Sequence, residues 1–188
     1  PEGTAPFALS LEIEIHEAGG ASRRELLSVT RAVETHAFPA AVRPRFVIVD
    51  PDHRVVGDHT LTAPADMLRA QLASAPTARG RWLAAQSLGK RDEPETIAAL
   101  RDVLLDETVF WGARAECAYA LAAIRGTEAL AALRGSTGVK HPKARRAVVW
   151  ALGRFAKAEA AEALIPIALS DESYAVEAEA ARSLGATR

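Results

Sequence analysis

Apolar and polar residues alternate over the first part of the chain. The run Leu9–His16 carries an apolar residue at every odd position and a polar one at every even position. This is the pattern of a strand with one face on a core and the other in water, and Gly19-Gly20 predicts a turn after it. Further strands are predicted at residues 26–30, 33–38, 45–49 and 54–57. Residues 1–60 are therefore predicted to form a small β-sandwich domain.

From about Pro64 the hydrophobic period becomes that of helices, and a repeat of 31 to 33 residues is visible. Its clearest position is a leucine with alanine or valine three residues earlier and a small residue one later. This position recurs at Leu88, Leu121, Leu152 and Leu184. The offsets predict two amphipathic helices per unit, stacked as helical hairpins, with only the first helix in the last unit. Residues 78–188 resemble short HEAT-like repeats, so residues 61–188 are predicted to form an α-solenoid of HEAT-like helical hairpins. The whole chain is thus an α+β multidomain protein.

Composition narrows the class of protein. The chain has 188 residues, 49% of them hydrophobic and 25% charged, and its formal net charge is −1. These values are typical of globular proteins and exclude a disordered tail or a collagen-like fibre. No apolar run approaches the roughly 20 residues that span a bilayer, so no membrane partner is expected. A single cysteine, Cys117, cannot form an internal disulfide, which favours the cytoplasm. The first residue, Pro1, suggests a processed product or a piece of a longer chain.

Few residues point to chemistry. His16-Glu17 is the one His-Glu pair, and the second histidine that a zinc peptidase needs four residues further on is missing. The densest titratable cluster could ligate a divalent cation, although a solvated turn with Asp side chains capping backbone amides is the favoured interpretation. Its members are Asp50, Asp52, His53, Asp58 and His59. Cys117 lies on an apolar helix face and is interpreted as a buried hydrophobe rather than a nucleophile.

Two sets of residues recur with the helical repeat. Arg81, Arg114 and Arg145 occupy one repeat position and are interpreted as a hydrogen-bonded ladder between repeats rather than a ligand-binding row. Tryptophans in successive first helices, together with the basic run 140–146, could form a nucleic-acid groove. Residues 61–188, however, hold 17 Lys and Arg against 15 Asp and Glu, which is far from a strongly basic surface. No nucleic-acid partner is therefore expected.

Three phrases resemble zinc aminopeptidases of the aminopeptidase-N type. Residues 43–51, RPRFVIVDP, resemble the end of the small β-sandwich of that family, which leads into its helical C-terminal domain. Residues 106–116, DETVFWGARAE, and 171–176, DESYAV, resemble two phrases of the bacterial helical domain. Together the two predicted domains are similar to the C-terminal part of such an enzyme over nearly the whole chain.

The resemblance implies a parent enzyme, a hydrolase that removes N-terminal amino acids from peptides with a zinc ion held by an H-E-x-x-H motif. That motif is absent here, and so is G-x-M-E-N, since the only methionine, Met67, precedes Leu68. No catalytic or metal residue carries over, and this chain alone is expected to be inactive and without a cofactor. Its partner would be the catalytic domain of the parent polypeptide, whose active site it would cover, and it would meet peptide substrates only indirectly. The residues expected at repeat junctions or the substrate cavity are Phe110, Trp111, Arg114 and Tyr174. The alternative is a stand-alone HEAT-like protein-binding scaffold.

Overall fold

The computed structural model describes residues 8–57 and 60–186. The chain separates into two compact units, Pro1–Leu61 and Thr62–Arg188. The first holds strands and the second holds helices, and each is described here by itself.

The first unit contains a three-stranded antiparallel sheet. Its strands are β1 (Leu9–His16), β2 (Ser22–Val29) and β3 (Phe46–Val49), in the order β2-β1-β3. A tight turn joins β1 to β2, where Gly20 has a φ of 89°, a left-handed conformation that glycine adopts at little cost. The alternating pattern therefore predicted the central strand correctly.

Both faces of the sheet carry apolar and charged residues. The register places Glu14 opposite Arg24 on one side and Ile48 on the other, so these three side chains share a face. The other face carries Ile13 and Ile15, which are buried like Ile48. The expectation of one apolar and one solvated face is therefore too simple. Loops supply part of the cover, since Arg24 on the first face forms an ion pair with a residue that follows β3, Asp52.

The strands predicted at residues 33–38 and 54–57 are wrong. Glu34 instead accepts hydrogen bonds from the backbone N–H groups of Thr30 and Arg31, which holds this segment in a turn. The Asp50 carboxylate similarly accepts the N–H groups of Arg54 and of the residue after it, which leaves no strand there. A second sheet, which a sandwich requires, is not found between residues 8 and 57. The unit is a single small sheet covered by loops.

The second unit consists of eight helices between residues 62 and 186. Their bounds are α1 (Ala65–Ser74), α2 (Ala78–Leu88), α3 (Pro94–Leu105), α4 (Trp111–Ile124), α5 (Gly126–Arg134), α6 (Pro142–Leu152), α7 (Ala158–Ser170) and α8 (Tyr174–Ala186). Their starts follow local chemistry: Thr77 caps α2 by accepting the Gly80 N–H, and prolines open α3 and α6. The even-numbered helices pack side by side in one row and the odd-numbered helices in a second.

The repeat leucines lie at the centre of this packing. Leu88, Leu121 and Leu152 are fully buried, as are the alanine or valine residues three positions earlier. Three hairpins, however, are offset by one helix from the prediction, because α1 packs against α2, α3 against α4 and α7 against α8, whereas α5 packs against both α4 and α6. Helix α1 lies before residue 78 and so was not counted as part of the repeat. When α1 is counted, α8 is the second helix of a hairpin with α7, and not the first helix of an incomplete unit.

Close helix contacts explain the small residues after the repeat leucines. A Cβ atom added to Gly89 would lie 3.2 Å from the Ala120 Cα atom of the next repeat, and one added to Gly153 would lie 2.6 Å from the Ser183 Cβ atom. At these two positions glycine therefore lets adjacent even-numbered helices approach closely.

Candidate functional site

Three large aromatic side chains remain exposed on α2, α4 and α6. The exposed fractions are 42% for Trp82 on α2, 40% for Tyr119 on α4 and 36% for Trp150 on α6. Tyr119 and Trp150 each stand two residues before the repeat leucine of their helix, Leu121 or Leu152, so they occupy equivalent places on the row. Because the helices lie side by side, the exposed face continues from one repeat to the next. We call Trp82, Tyr119 and Trp150 the aromatic stripe.

Neighbouring side chains hold the stripe in place. The rings of Tyr119 and Trp150 meet edge to face with their centroids 5.1 Å apart. The Arg154 guanidinium lies 4.7 Å from the centroid of the Trp150 ring, and the Arg79 guanidinium lies 5.8 Å from that of Trp82. Among the described residues no carboxylate forms an ion pair with Arg79 or Arg154. Their N–H groups therefore remain available for a ligand.

Glu116 lies between the aromatic residues, one helical turn before Tyr119 on α4. Its half-buried carboxylate accepts a hydrogen bond from the Trp82 side chain, but burial outweighs this bond and raises the pKa of Glu116. Within residues 8–57 and 60–186 no lysine or arginine pairs with it. Glu116 is therefore an acidic group without a cation, next to the aromatic rings.

The far end of this face carries a charged cluster. Glu179 on α8 is buried and its carboxylate lies 2.9 Å from the Arg182 guanidinium and 3.7 Å from that of Arg146 on α6. Burial raises the pKa of Tyr119, and the nearby Arg146 opposes that rise. This cluster is internally paired, in contrast to Glu116.

The repeated arginines form structural contacts below this face. Arg114 is buried; its Nε donates to the Leu104 carbonyl at 2.9 Å, and its two Nη atoms lie 2.5 and 2.8 Å from the Glu107 carboxylate. Arg145 makes the same kind of bidentate pair with Asp171, with both N–O distances 2.7 Å. These bonds connect the ends of helices and engage the Nε and both Nη atoms of each arginine.

Of the four junction residues predicted from sequence, the structure brings three together at the start of α4. Phe110 precedes the helix, with its ring over Gly112 and its centroid 5.2 Å from that of Trp111. Trp111 also stacks on His141, and Lys143 lies 4.6 Å from the Trp111 ring centroid. Arg114 is buried one turn further on. Tyr174, at the start of α8, is 83% exposed and makes no ring contact with the others in the described structure.

The residues considered as a nucleophile or as metal ligands have structural roles instead. Cys117 is fully buried, and burial raises the pKa of its thiol strongly, so the reactive thiolate is disfavoured. In the proposed cation cluster, Asp50 caps the turn after β3 and Asp52 pairs with Arg24, while Asp58 and His59 lie outside the described residues. No group of three or more His, Cys, Asp or Glu residues able to hold a metal ion is found in residues 8–57 and 60–186. No helix in these ranges is long and apolar enough to cross a bilayer.

Comparison with known proteins agrees with a stack of helical hairpins. The sequence matches the family described as HEAT repeats over residues 65–141 and 137–188. The second unit is thus an α-solenoid, and the chain belongs to the HEAT-repeat family. The comparison with curated proteins gives no significant match.

Solved structures are also similar to this chain. One of them is human deoxyhypusine hydroxylase in complex with glycerol, with 22% sequence identity and a TM-score of 0.57 over 66% of this chain and 43% of that one. The chain thus spans less than half the length of the hydroxylase. At this identity the likeness shows the fold alone.

The expected origin in a zinc aminopeptidase is wrong. The family match and the structural similarity both point to HEAT repeats, and neither points to an aminopeptidase domain. Two of the three sequence phrases behind that hypothesis are explained by local contacts in this structure. In DETVFWGARAE, Phe110 covers Gly112 and Arg114 pairs with Glu107; in RPRFVIVDP, a short outer strand ends at the Asp50 turn. The expected roles as a fragment of a peptidase and as a cover over its zinc site are therefore wrong as well.

From the sequence, Trp82 and Trp150, together with Trp111, are only the tryptophans of a possible nucleic-acid groove, and neither Tyr119 nor Glu116 stands out. A usable signal was present: Tyr119 and Trp150 both precede a repeat leucine by two residues, and such a fixed offset places them on one face.

Proposed function

We propose that this chain is a HEAT-repeat scaffold that binds a segment of another protein along the exposed face of α2, α4 and α6. The observation that supports it is the aromatic stripe, in which Trp82, Tyr119 and Trp150 stay exposed on three helices packed side by side. Tryptophan, tyrosine and arginine are the residues that dominate binding energy at protein interfaces, and this face combines all three.

The geometry favours a protein partner over other ligands. The rings are held by neighbouring side chains, so they lose little conformational entropy on binding. The face carries the carboxylates of Glu116 and Glu179 as well as arginines, so it has mixed charge, unlike a basic surface that follows a phosphate backbone. We accordingly propose a protein partner rather than nucleic acid. The single cysteine, buried and unpaired, supports a cytoplasmic location as part of the same proposal.

The test is selection of random 12-residue peptides by phage display on the full chain, followed by affinity measurement on synthetic peptides. We expect Trp150→Ala and Trp82→Ala each to weaken the selected peptides by about tenfold or more, as truncation of an interface anchor does. Tyr174→Ala is the matched control, because Tyr174 is also an exposed aromatic residue at a helix of the same row. Circular dichroism checks that each variant is folded.

Two results would contradict the proposal. One is a selection that yields no peptide whose binding depends on Trp82 or Trp150. The other is a set of peptides lost with Tyr174→Ala and kept with Trp150→Ala, which would place the binding surface at the helix starts.

A further inference from the structure

The charges beside the aromatic stripe are arranged in a pattern that a partner can match. Three charged groups next to the aromatic stripe form no ion pair among the described residues: Arg79 over Trp82, Glu116, and Arg154 over Trp150. The charges around Glu179 are paired with each other. The unpaired groups thus run cation, anion, cation from α2 through α4 to the end of α6.

Resting on the proposed function, we propose that the stripe binds a segment that carries one lysine or arginine flanked on each side by an acidic residue. The central basic side chain contacts Glu116 beside Trp82 and Tyr119, and the acidic side chains contact Arg79 and Arg154.

The surroundings of Glu116 suit a cationic side chain. The indole N–H of Trp82 donates to the carboxylate and Tyr119 follows it by one helical turn, so a guanidinium or ammonium group there meets a negative charge beside two aromatic rings. The half-buried position excludes part of the water that would otherwise screen the pair. An apolar or acidic side chain at this place would leave the carboxylate without a counter-charge.

The flanking arginines suit carboxylates for a different reason. Each guanidinium lies near a tryptophan ring and forms no ion pair among the described residues, and a guanidinium can bind a carboxylate through two N–H groups at once. Adjacent helices pack about 8–10 Å apart and rise 1.5 Å per residue, so the backbone of each arginine lies roughly 10–15 Å from the backbone of Glu116. An extended chain covers that distance in about three to five residues.

The experiment uses three synthetic 12-residue peptides with the same aromatic and apolar residues. The first has an arginine with a glutamate four residues away on each side, the second has the charges reversed, and the third has glutamine at all three places. Fluorescence anisotropy on the full chain is expected to show the first bound at least tenfold more tightly than the second. Glu116→Gln is expected to weaken the first peptide about fivefold to tenfold and to leave the glutamine peptide unchanged. Glu95→Gln, an exposed carboxylate on α3, is the control.

The outcomes separate this inference from the proposed function. Stripe-dependent peptides that show no charge pattern in the phage selection, or that bind Glu116→Gln as tightly as the unaltered chain, overturn the charge pattern and leave the scaffold standing. If no peptide depends on Trp82 or Trp150, both proposals fall. Glu116→Gln is expected to fold normally, because an uncharged amide is easier to keep half-buried than a carboxylate.

Discussion

At the scale of residues, the arginine ladder differs at its middle position. Arg145 pairs with Asp171, 26 residues further along the chain. The residue 26 positions after Arg114 is Lys140, whose ammonium group cannot accept hydrogen bonds from a guanidinium. Glu107, from the turn just before α4, takes that place, and its Oε1 also accepts the Lys140 backbone N–H at 3.0 Å. One carboxylate therefore joins two turns of neighbouring repeats.

We expect Glu107→Gln to lower the free energy of unfolding by about 1–2 kcal/mol at pH 7. It leaves the buried Arg114 guanidinium without a counter-charge, but water partly screens Glu107, so the loss is smaller than for a fully buried pair. Urea unfolding followed by circular dichroism measures it. Glu95→Gln on α3 is the control, and an equal effect of the two substitutions would contradict a specific role of the pair.

The same pair predicts a dependence on pH. Arg114, followed by the Lys140 N–H, lowers the pKa of Glu107 in the folded chain from an ordinary 4.5 to about 2. A carboxyl group with a lowered folded pKa contributes its full stability above the unfolded value and loses it as the pH falls. The difference in unfolding free energy between the unaltered chain and Glu107→Gln is therefore expected to persist from pH 7 to about 5 and to shrink between pH 4.5 and 2. A difference that stayed constant down to pH 2 would contradict the assignment.

At the scale of elements, close packing between even-numbered helices makes one methyl group decisive. We expect Gly153→Ala to destabilise the chain by about 1–3 kcal/mol, because the new Cβ atom would overlap Ser183 and push α6 and α8 apart. Gly185 occupies the equivalent place at the end of α8, where a Cβ atom would meet nothing within 4 Å. Gly185→Ala is thus expected to be neutral or stabilising by up to about 1 kcal/mol, from helix propensity alone. Thermal unfolding compares the two, and equal effects would contradict the packing argument.

The sequence predicted the elements whose signals are local. The alternation in Leu9–His16 gave a strand, and the repeat leucines gave the helices and their family of folds. It failed where the deciding contact lies elsewhere in the chain. Helix α2, which contains Leu88, forms its hairpin with α1 rather than with α3. The hydrophobic period within α2 does not show which of the two neighbours it packs against.

The same limit applies to the candidate site. The conspicuous aromatic phrase around Phe110 and Trp111 drew attention to a helix start, although Arg114 there is occupied by structural bonds. The aromatic stripe depends on which side of each helix is left exposed by its neighbours. That side can be identified only when the repeats are aligned and their packing is known. Glu116 stands out for a similar reason, since a lack of a cation beside it is a property of the packed structure.

At the scale of the whole molecule, the two units differ in how much of their stability they can supply alone. The helical unit Thr62–Arg188 has a continuous core in which leucines from α1 to α7 are fully buried. The unit Pro1–Leu61 is about half as long and has one three-stranded sheet, which is near the lower limit of independent stability. Burial of apolar surface therefore favours the helical unit.

We accordingly expect residues 62–188, produced alone, to keep the helical circular dichroism signal and the melting temperature of the helical transition in the full chain. In a repeat stack, stability is the sum of contacts between neighbouring hairpins, and those contacts all lie within this unit. Residues 1–61 alone are expected to unfold at a lower temperature. A large fall in the melting temperature of the isolated helical unit would show that the strands contribute to its stability.

A titration of the same peptides then tests whether the aromatic stripe still binds in the isolated helical unit, because every residue of the stripe belongs to this unit. Loss of binding in a folded helical unit would assign part of the binding surface to the strands.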